Sequence, residues 1–246
     1  MYLLKEKELF HVHTYRCKHA GDFADEDYIR RAIELGAEKI TFTDHTPFPG
    51  DRFLNRMAYS QLPEYISSLK ELREKYAEQI QIGIGLEVEY MPSFRGYYEE
   101  LKSNSDIDFL MLGQHMYEVS ENLYSYELDD SQGDVLFPRL AESLIDGMES
   151  GLFSIVAHPD RVFKTQHSWS TQMKSLSDII IKSAIEKNIL LEINEESKRR
   201  RRYYWKEFWD SLAVYQEEYG KRACAIHGLD AHSPGELRLI LQNSSL

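Results

Sequence analysis

The 246-residue sequence has little cysteine, fewer basic than acidic residues and no long apolar run. Two cysteines, Cys17 and Cys224, are too few for a disulfide framework, so we expect free thiols. With 29 Lys and Arg against 41 Asp and Glu, the formal net charge is −12, which argues against a long nucleic acid as partner. No stretch reaches the roughly 18 apolar residues that a membrane span needs. The start, MYLLKEKELF, is too charged for a signal peptide, and we expect a cytoplasmic protein.

The rest of the composition is that of a soluble globular protein. Hydrophobic residues make up 42% of the chain and charged residues 28%, and the length is sufficient to bury a substantial core. No linker, internal repeat or stretch rich in Pro, Gly or Ser divides the sequence. We therefore predict a single domain over residues 1–246.

Short apolar runs alternate with amphipathic segments along the chain. Residues 28–36 place apolar side chains at helical spacing before Gly36, and residues 62–79 do so around Pro63, so both segments predict helices. The alternation of strand and helix predicts a mostly parallel sheet, either open or closed into a barrel. The seven predicted strands cover 8–13, 39–43, 80–87, 108–113, 153–158, 189–194 and 223–227.

Histidine and acidic residues cluster at or just after the ends of the predicted strands. In parallel barrels the active site forms at these ends, from residues that are distant in sequence. One such histidine alone more often has a structural role, but many imidazole and carboxylate groups together are the donors that Zn, Mn and Fe prefer. The candidate metal ligands are His11, His13, His19, His45, Glu87, His115, His158, Asp230 and His232.

Two pairs of these candidates have an i, i+2 spacing. Because side chains alternate along a strand, we expect His11 and His13 on one face, with Val12 packed on the other. Asp230 and His232 repeat this spacing after the last strand. A closed barrel places its first and last strands side by side, so we expect the two pairs to face each other.

These segments resemble the motifs of the PHP family, named for polymerase and histidinol phosphatase, and within it the histidinol phosphatase branch. FHVHTYRCKHA is similar to the first motif, TFTDHTPFP to the second, and GIGLEVEY to the segment with a bridging glutamate, here Glu87. The resemblance spans nearly the whole chain. It implies a distorted (β/α)7 TIM-like barrel of the PHP type, in which the nine candidates hold two or three divalent ions, Zn, Mn or Fe.

Two segments depart from the family's pattern. The family usually has a small residue and Val before the histidine of its fourth motif, whereas this chain has Gly113 and Gln114 before His115. After the sixth predicted strand the family often has a Gly-Leu-Arg type of loop, whereas this chain reads INEESKRRRRYYW. Both departures concern the substrate side and leave the ligand set complete.

The charge of such a site favours an anionic substrate. Glu87 and Asp230 contribute about −2 and three divalent ions about +6, which leaves an excess of about +4 for a phosphate monoester and a hydroxide to offset. We therefore predict a phosphomonoesterase in which a metal-bound hydroxide attacks a small phosphorylated metabolite. The resemblance implies L-histidinol phosphate, in histidine biosynthesis, as that metabolite. A cysteine phosphatase is excluded, because acidic residues follow Cys17 where that chemistry needs an arginine.

Phosphate binding favours arginine, whose planar fork matches phosphate oxygens. The candidates for substrate binding are Arg161, Arg199, Arg200 and Arg16, and Arg161 is also a catalytic candidate. The basic run at 198–202 is alternatively a solvated helix start. Asp44, beside His45, is a catalytic candidate that either moves a proton or orients a ligand. The aromatic and basic loop at 46–60 is either a lid or an ordinary loop packed by its own aromatics.

Two other functions stay open at this point. A PHP-type nucleotide phosphatase or nuclease would use the same metal ligands, and hydrolysis of nucleoside phosphates would distinguish it. A non-catalytic metal-binding regulatory module would keep the barrel without turnover. Such a module would tolerate the loss of ligands, and this chain lacks none of them.

Overall fold

The computed structural model describes residues 4–127, 133–219 and 225–242. Seven strands form a parallel sheet in the order β1-β2-β3-β4-β7-β8-β9, and all seven correspond to predicted strands. A short antiparallel hairpin, β5-β6, is not predicted by the sequence pattern. Positions 223 and 224 of the last predicted strand lie outside the described residues. The strands are β1 (Glu8–Val12), β2 (Lys39–His45), β3 (Gln81–Val88), β4 (Phe109–Leu112), β5 (Glu118–Ser120), β6 (Leu123–Tyr124), β7 (Ile155–Val156), β8 (Leu190–Asn194) and β9 (Ala225–Gly228).

Helices separate the strands of the large sheet. The first helix begins with three acidic residues at the positive end of its dipole and is followed by Gly36, which has a φ of 72°. In the described part of the chain, every helix is too short or too polar to span a membrane. The helices are α1 (Asp25–Glu34), α2 (Leu62–Lys75), α3 (Arg95–Ser103), α4 (Gly133–Glu149), α5 (Thr171–Lys187), α6 (Glu195–Arg200) and α7 (Lys206–Tyr219).

Contacts between residues divide the chain into two compact units, which are described separately below. The prediction of a single domain over 1–246 stays a prediction. Unit 1 comprises Met1–Glu87, Asn104–Leu110 and His227–Ser245, and unit 2 comprises Val88–Ser103, Met111–Ile226 and Leu246.

In unit 1 the first strand pairs with the segment directly after the last strand, so the two ends of the sheet come together as predicted. The N–H of Leu229 donates to the carbonyl of Phe10, and the N–H of Ala231 donates to the carbonyl of His11. On its other edge β1 pairs with β2, and β2 pairs with β3. Every residue of β1 is buried, because neighbours cover both faces of the strand. The ends of β1, β2 and β3 and the segment after β9 therefore converge on one region.

The core of unit 1 fixes these strands by close packing. Phe10 stacks on Phe109 with ring centroids 5.9 Å apart. A Cβ atom at Gly85 would lie 2.6 Å from the ring of Phe109, so only glycine fits there. This packing holds β3 in place, and the pairing of β3 with β2 puts Glu87 next to the end of β2.

In unit 2 the parallel strands β4, β7 and β8 pair in that order. Met111 is in register with Ile155, and Val156 with Leu191. Helices α4 and α5 belong to the same unit. The carboxyl ends of β7 and β8 lead directly into the segments that carry His158 and the basic run.

Candidate metal site

The two histidines of the first motif come together through an irregular strand end. The rings of His11 and His13 are fully buried, with centroids 4.9 Å apart. The predicted proximity is confirmed, but plain strand alternation is not its cause. His11 has a φ of 66°, and the pairing of β1 with β2 shifts register between Leu9 and Val12. The backbone therefore bends at His11, which aims both rings into the same region.

One carboxylate oxygen of Glu87 faces three imidazoles. Its Oε2 lies 3.4 Å from His11 Nε2, 3.5 Å from His13 Nε2 and 3.2 Å from His45 Nδ1. His45 and Glu87 are neighbours because they are in register at the ends of β2 and β3. Two ligand atoms about 2.1 Å from a tetrahedral ion lie about 3.4 Å apart. The spacing around Glu87 therefore fits atoms that share a metal ion.

Asp230 supplies a second carboxylate to the same histidines. Its Oδ1 lies 3.3 Å from His13 Nε2 and 3.7 Å from His11 Nε2. The ring of His232 stacks on that of His13 at 4.5 Å. The two i, i+2 pairs thus face each other, as predicted. Asp230 has a φ of 52°, which is a second strained backbone position at a predicted ligand.

His19 and His232 form a pair whose geometry calls for a cation. Their Nε2 atoms are 2.8 Å apart. The Nδ1 of His19 is 2.8 Å from the carbonyl of Cys17, and that of His232 is 2.8 Å from the carbonyl of Asp230. A carbonyl only accepts, so both Nδ1 atoms carry hydrogen and both Nε2 atoms present lone pairs to each other. A cation bound by these two side chains would remove this repulsion.

The protonation states of unit 1 suit metal binding. Burial, aided by the neighbouring His232, lowers the pKa of His13 to about 3. Burial also lowers the pKa of His19. At Asp230 burial acts to raise the pKa, but His11 and His13 outweigh it and the pKa falls well below its usual range. Neutral imidazoles and an ionised carboxylate are the forms that bind divalent ions.

The other predicted ligands, His115 and His158, belong to unit 2, where their ring centroids are 4.9 Å apart. Two carboxylates that sequence reasoning missed support them. Glu89 Oε1 lies 3.0 Å from His115 Nδ1, and Glu192 accepts the backbone N–H of His158 at 2.9 Å. Both glutamates are buried, and His158 has a φ of 30°. A glutamate inside an apolar strand, as in GLEVEY and ILLEIN, is the signal that would have found them.

Asp44 is buried and held by a neighbouring loop. Both its oxygens accept hydrogen bonds at 2.5 Å from Thr14, one from the backbone N–H and one from the hydroxyl. Burial raises the pKa of Asp44 to about 6, against the opposing effect of these bonds. The arrangement favours the ligand-orienting alternative over proton transfer to a leaving group.

Arg16 has a different environment from the one predicted. All five of its N–H donors lie in bonds to Asp25, Glu64 and Thr14, at 2.7 to 3.0 Å. The side chain is almost completely buried. No donor is left for a phosphate, so the structure corrects the expected substrate contact to a scaffold role linking α1, α2 and the loop after β1.

Arg161 remains available for an anion. It lies in the 3₁₀ helix Pro159–Phe163, directly after His158, and its guanidinium is 5.3 Å from the centre of the Tyr203 ring. Within the described residues no acceptor meets its buried Nε. The preceding Asp160 accepts the backbone N–H of Trp205 at 2.8 Å, which fixes this segment to the one carrying Tyr203.

The basic run has the geometry of a solvated helix end. Arg199 and Arg200 both pair with Glu196, one turn earlier in α6, and their side chains are 59% and 57% exposed. The run therefore lies in and after α6, not at the start of the following helix. Local pairing of this kind favours the solvated alternative.

Two loops on the predicted substrate side are packed internally. Gln114 is buried, and its side chain bonds both the N–H and the carbonyl of Tyr90, which anchors the loop before His115. In the loop at 46–60, Phe48 and Phe53 are buried, and the guanidinium of Arg56 lies 5.3 Å from the Phe48 ring centre. This favours an ordinary loop packed by its own aromatics over a lid.

Comparison with known proteins agrees with these observations. A histidinol-phosphatase of Bacillus subtilis is 23% identical over 92% of this chain and 94% of its own length. A Deinococcus radiodurans protein named "Probable histidinol-phosphatase" is 27% identical over 92% of this chain and 86% of its own. The solved histidinol phosphate phosphatase of Lactococcus lactis, complexed with zinc, L-histidinol and phosphate, superposes with a TM-score of 0.74 at 21% identity, covering 93% and 87% of the two chains.

The likeness to the solved structure shows the fold, so the predicted distorted (β/α)7 barrel is confirmed. The PHP domain family matches residues 10–196, well over half of the chain. By this match and the metal-ligand geometry of its strand ends, the chain belongs to the PHP family.

Proposed function

We propose that this protein is a metal-dependent phosphomonoesterase that hydrolyses L-histidinol phosphate to L-histidinol and phosphate, a step of histidine biosynthesis in the cytoplasm. The observation that carries the proposal is the set of imidazoles around Glu87 and Asp230, spaced for shared metal ions. Full-length similarity to histidinol-phosphatases supports the choice of substrate.

The nine predicted ligands serve divalent ions, two or three in number. In unit 1 these are His11, His13, His19, His45, Glu87, Asp230 and His232, and in unit 2 His115 and His158. Zinc is supported by the Lactococcus lactis protein, and manganese and iron suit the same donors. When bound, such ions activate water and stabilise the charge that develops on the phosphoryl group.

The protein's own groups hold and orient the reactants. Glu87 would hold metal together with His11, His13 and His45, because one of its oxygens faces these three imidazoles. Arg161 binds the phosphoryl oxygens, since its buried Nε has no acceptor among the described residues. Asp44 keeps the loop after β1 in place by accepting two bonds from Thr14. A small phosphorylated amine suits these roles, and a long nucleic acid does not suit the net charge of −12.

The test combines metal analysis with a phosphate-release screen. We expect purified protein to contain two or three divalent ions per chain, and chelation to abolish activity and lower the melting temperature. Histidinol phosphate should be turned over with a higher kcat/KM than nucleoside monophosphates. The reverse preference would indicate the nucleotide phosphatase, and metal binding without any phosphate release would indicate a regulatory module. Full activity of metal-free protein would refute the proposal.

A further inference from the structure

Cys17 contacts three of the predicted ligand histidines. Its Sγ lies 3.4 Å from His13 Nδ1 and accepts the backbone N–H of His45 at 3.2 Å. Its carbonyl oxygen lies 2.8 Å from His19 Nδ1. The residue is fully buried. The 3₁₀ turn Tyr15–Cys17 after β1 brings the side chain of Cys17 to His13 and its carbonyl oxygen to His19.

The contact with His13 sets the tautomer of that ring. The Nε2 of His13 faces Glu87 and Asp230, so a metal ion on that side requires a lone pair on Nε2 and a hydrogen on Nδ1. The Sγ of Cys17 is the acceptor that this Nδ1 hydrogen meets. Outer partners of this kind orient ligand histidines and raise their basicity.

Three other ligand histidines turn Nδ1 toward an outer partner, whereas the Nδ1 of His45 faces Glu87. The Nδ1 atoms of His19 and His232 meet backbone carbonyls, and that of His115 meets the carboxylate of Glu89. His13 has a thiol in this position. A ring nitrogen of His13, the Sγ of Cys17 and a carboxylate oxygen of Asp44 lie within 4.8 Å of one another. The sulfur is therefore close to both the imidazole and Asp44, which is itself fixed by Thr14.

We infer that Cys17 is a positioning residue that fixes the tautomer and orientation of His13 for metal binding, connects this ring to Asp44, and is not itself a metal ligand. The inference rests on the proposed metal site. The Sγ lies on the Nδ1 side of His13, whereas the ion side is Nε2, and the sulfur already receives the N–H of His45. Removing the sulfur leaves the Nδ1 hydrogen of a buried ring without its acceptor.

The test compares Cys17→Ala and Cys17→Ser with the wild-type protein by zinc titration against a competing chelator. We expect Cys17→Ala to weaken the tightest zinc site by about 10- to 100-fold, the range for loss of an outer partner, and Cys17→Ser to lie closer to wild type, since a hydroxyl also accepts and donates. Ser177→Ala is the matched control, because Ser177 is also small, buried and polar, and bonds the carbonyl of Met173 in α5. The control should bind zinc like wild type.

Cobalt substitution provides a second readout. A positioning thiol predicts cobalt spectra without sulfur-to-cobalt charge-transfer absorption from Cys17. Absorption that is present in the wild type and lost in Cys17→Ala, and so does not come from Cys224, would make Cys17 a ligand and overturn the inference, as would wild-type zinc affinity in Cys17→Ala or an equal loss in Ser177→Ala. Zinc affinity is measured without substrate. Wild-type protein that binds zinc but does not hydrolyse histidinol phosphate would therefore overturn the proposed function and leave this inference standing.

Discussion

Two charged regions of this protein differ in the burial of their side chains and in the partners that these side chains contact. In the cluster of His11, His13, Glu87 and Asp230 all members but the partly exposed Asp230 are buried, and the nitrogen and oxygen atoms lie 3.3 to 3.7 Å apart, the spacing of atoms around an ion. The basic run at 198–202 is exposed, and Arg199 and Arg200 pair with Glu196 in the same short helix. Charge density in the sequence is higher in the basic run, yet the buried cluster has the geometry of a site. Burial with converging donors, and not local charge, distinguishes a functional site from a solvated helix end.

The largest effect is expected from Glu87→Ala in the buried cluster. Because Glu87 faces three imidazoles, we expect kcat/KM to fall by at least about a thousandfold, beyond the 10- to 100-fold typical of outer partners. Metal content should fall with it, as plasma emission spectrometry would measure. His167→Ala is the control, since His167 is an exposed histidine outside the predicted set. Equal losses in the two variants would mean that the ligand assignment is wrong.

Arg16→Ala tests whether a buried arginine is a scaffold or a substrate contact. Removing it leaves the carboxylate of Asp25 buried without its partner, which we expect to cost about 3 to 5 kcal/mol of unfolding free energy. Urea denaturation of the metal-loaded protein measures this loss. If the unfolding free energy were unchanged and kcat/KM strongly reduced, Arg16 would instead be a substrate contact.

Arg161→Ala should separate phosphate binding from metal binding. We expect kcat/KM for histidinol phosphate to fall by about two to three orders of magnitude, equivalent to roughly 3 to 4 kcal/mol, with normal metal content. Arg161→Lys should restore little, because an ammonium lacks the two-pronged fork of the guanidinium. Wild-type kcat/KM together with a full metal complement in Arg161→Ala would remove this residue from the site.

The smallest effect is expected from the basic run. Arg199→Ala and Arg200→Ala each remove one exposed ion pair with Glu196, and such pairs contribute only about 0.2 to 1 kcal/mol. We expect melting temperature and kcat/KM close to wild type. A loss in kcat/KM approaching that of Arg161→Ala would show that the run binds substrate, and it would reverse the comparison made above.

The order of strands and helices and the identity of the candidate ligands can be predicted from the amino-acid sequence. Apolar runs and helical spacing are local properties, so all seven strands were predictable, and histidines at strand ends indicated where a metal would bind. The i, i+2 spacing of His11 and His13 correctly predicted their proximity. Pairing of β1 with the segment after β9 followed from closure of the barrel.

Which charged residues have free donors, and which are already bonded, depends on contacts between distant parts of the chain. Arg16 and Arg161 read alike in the sequence, but Arg16 meets Asp25 and Glu64, which are distant along the chain. The support that Glu89 gives to His115, and that Cys17 gives to His13, depends likewise on contacts between separate segments. The bend at His11 comes from a register shift between two strands, which no single strand specifies. Such partners are set by how strands and loops pack in three dimensions, and a linear pattern of residue types does not encode those distances.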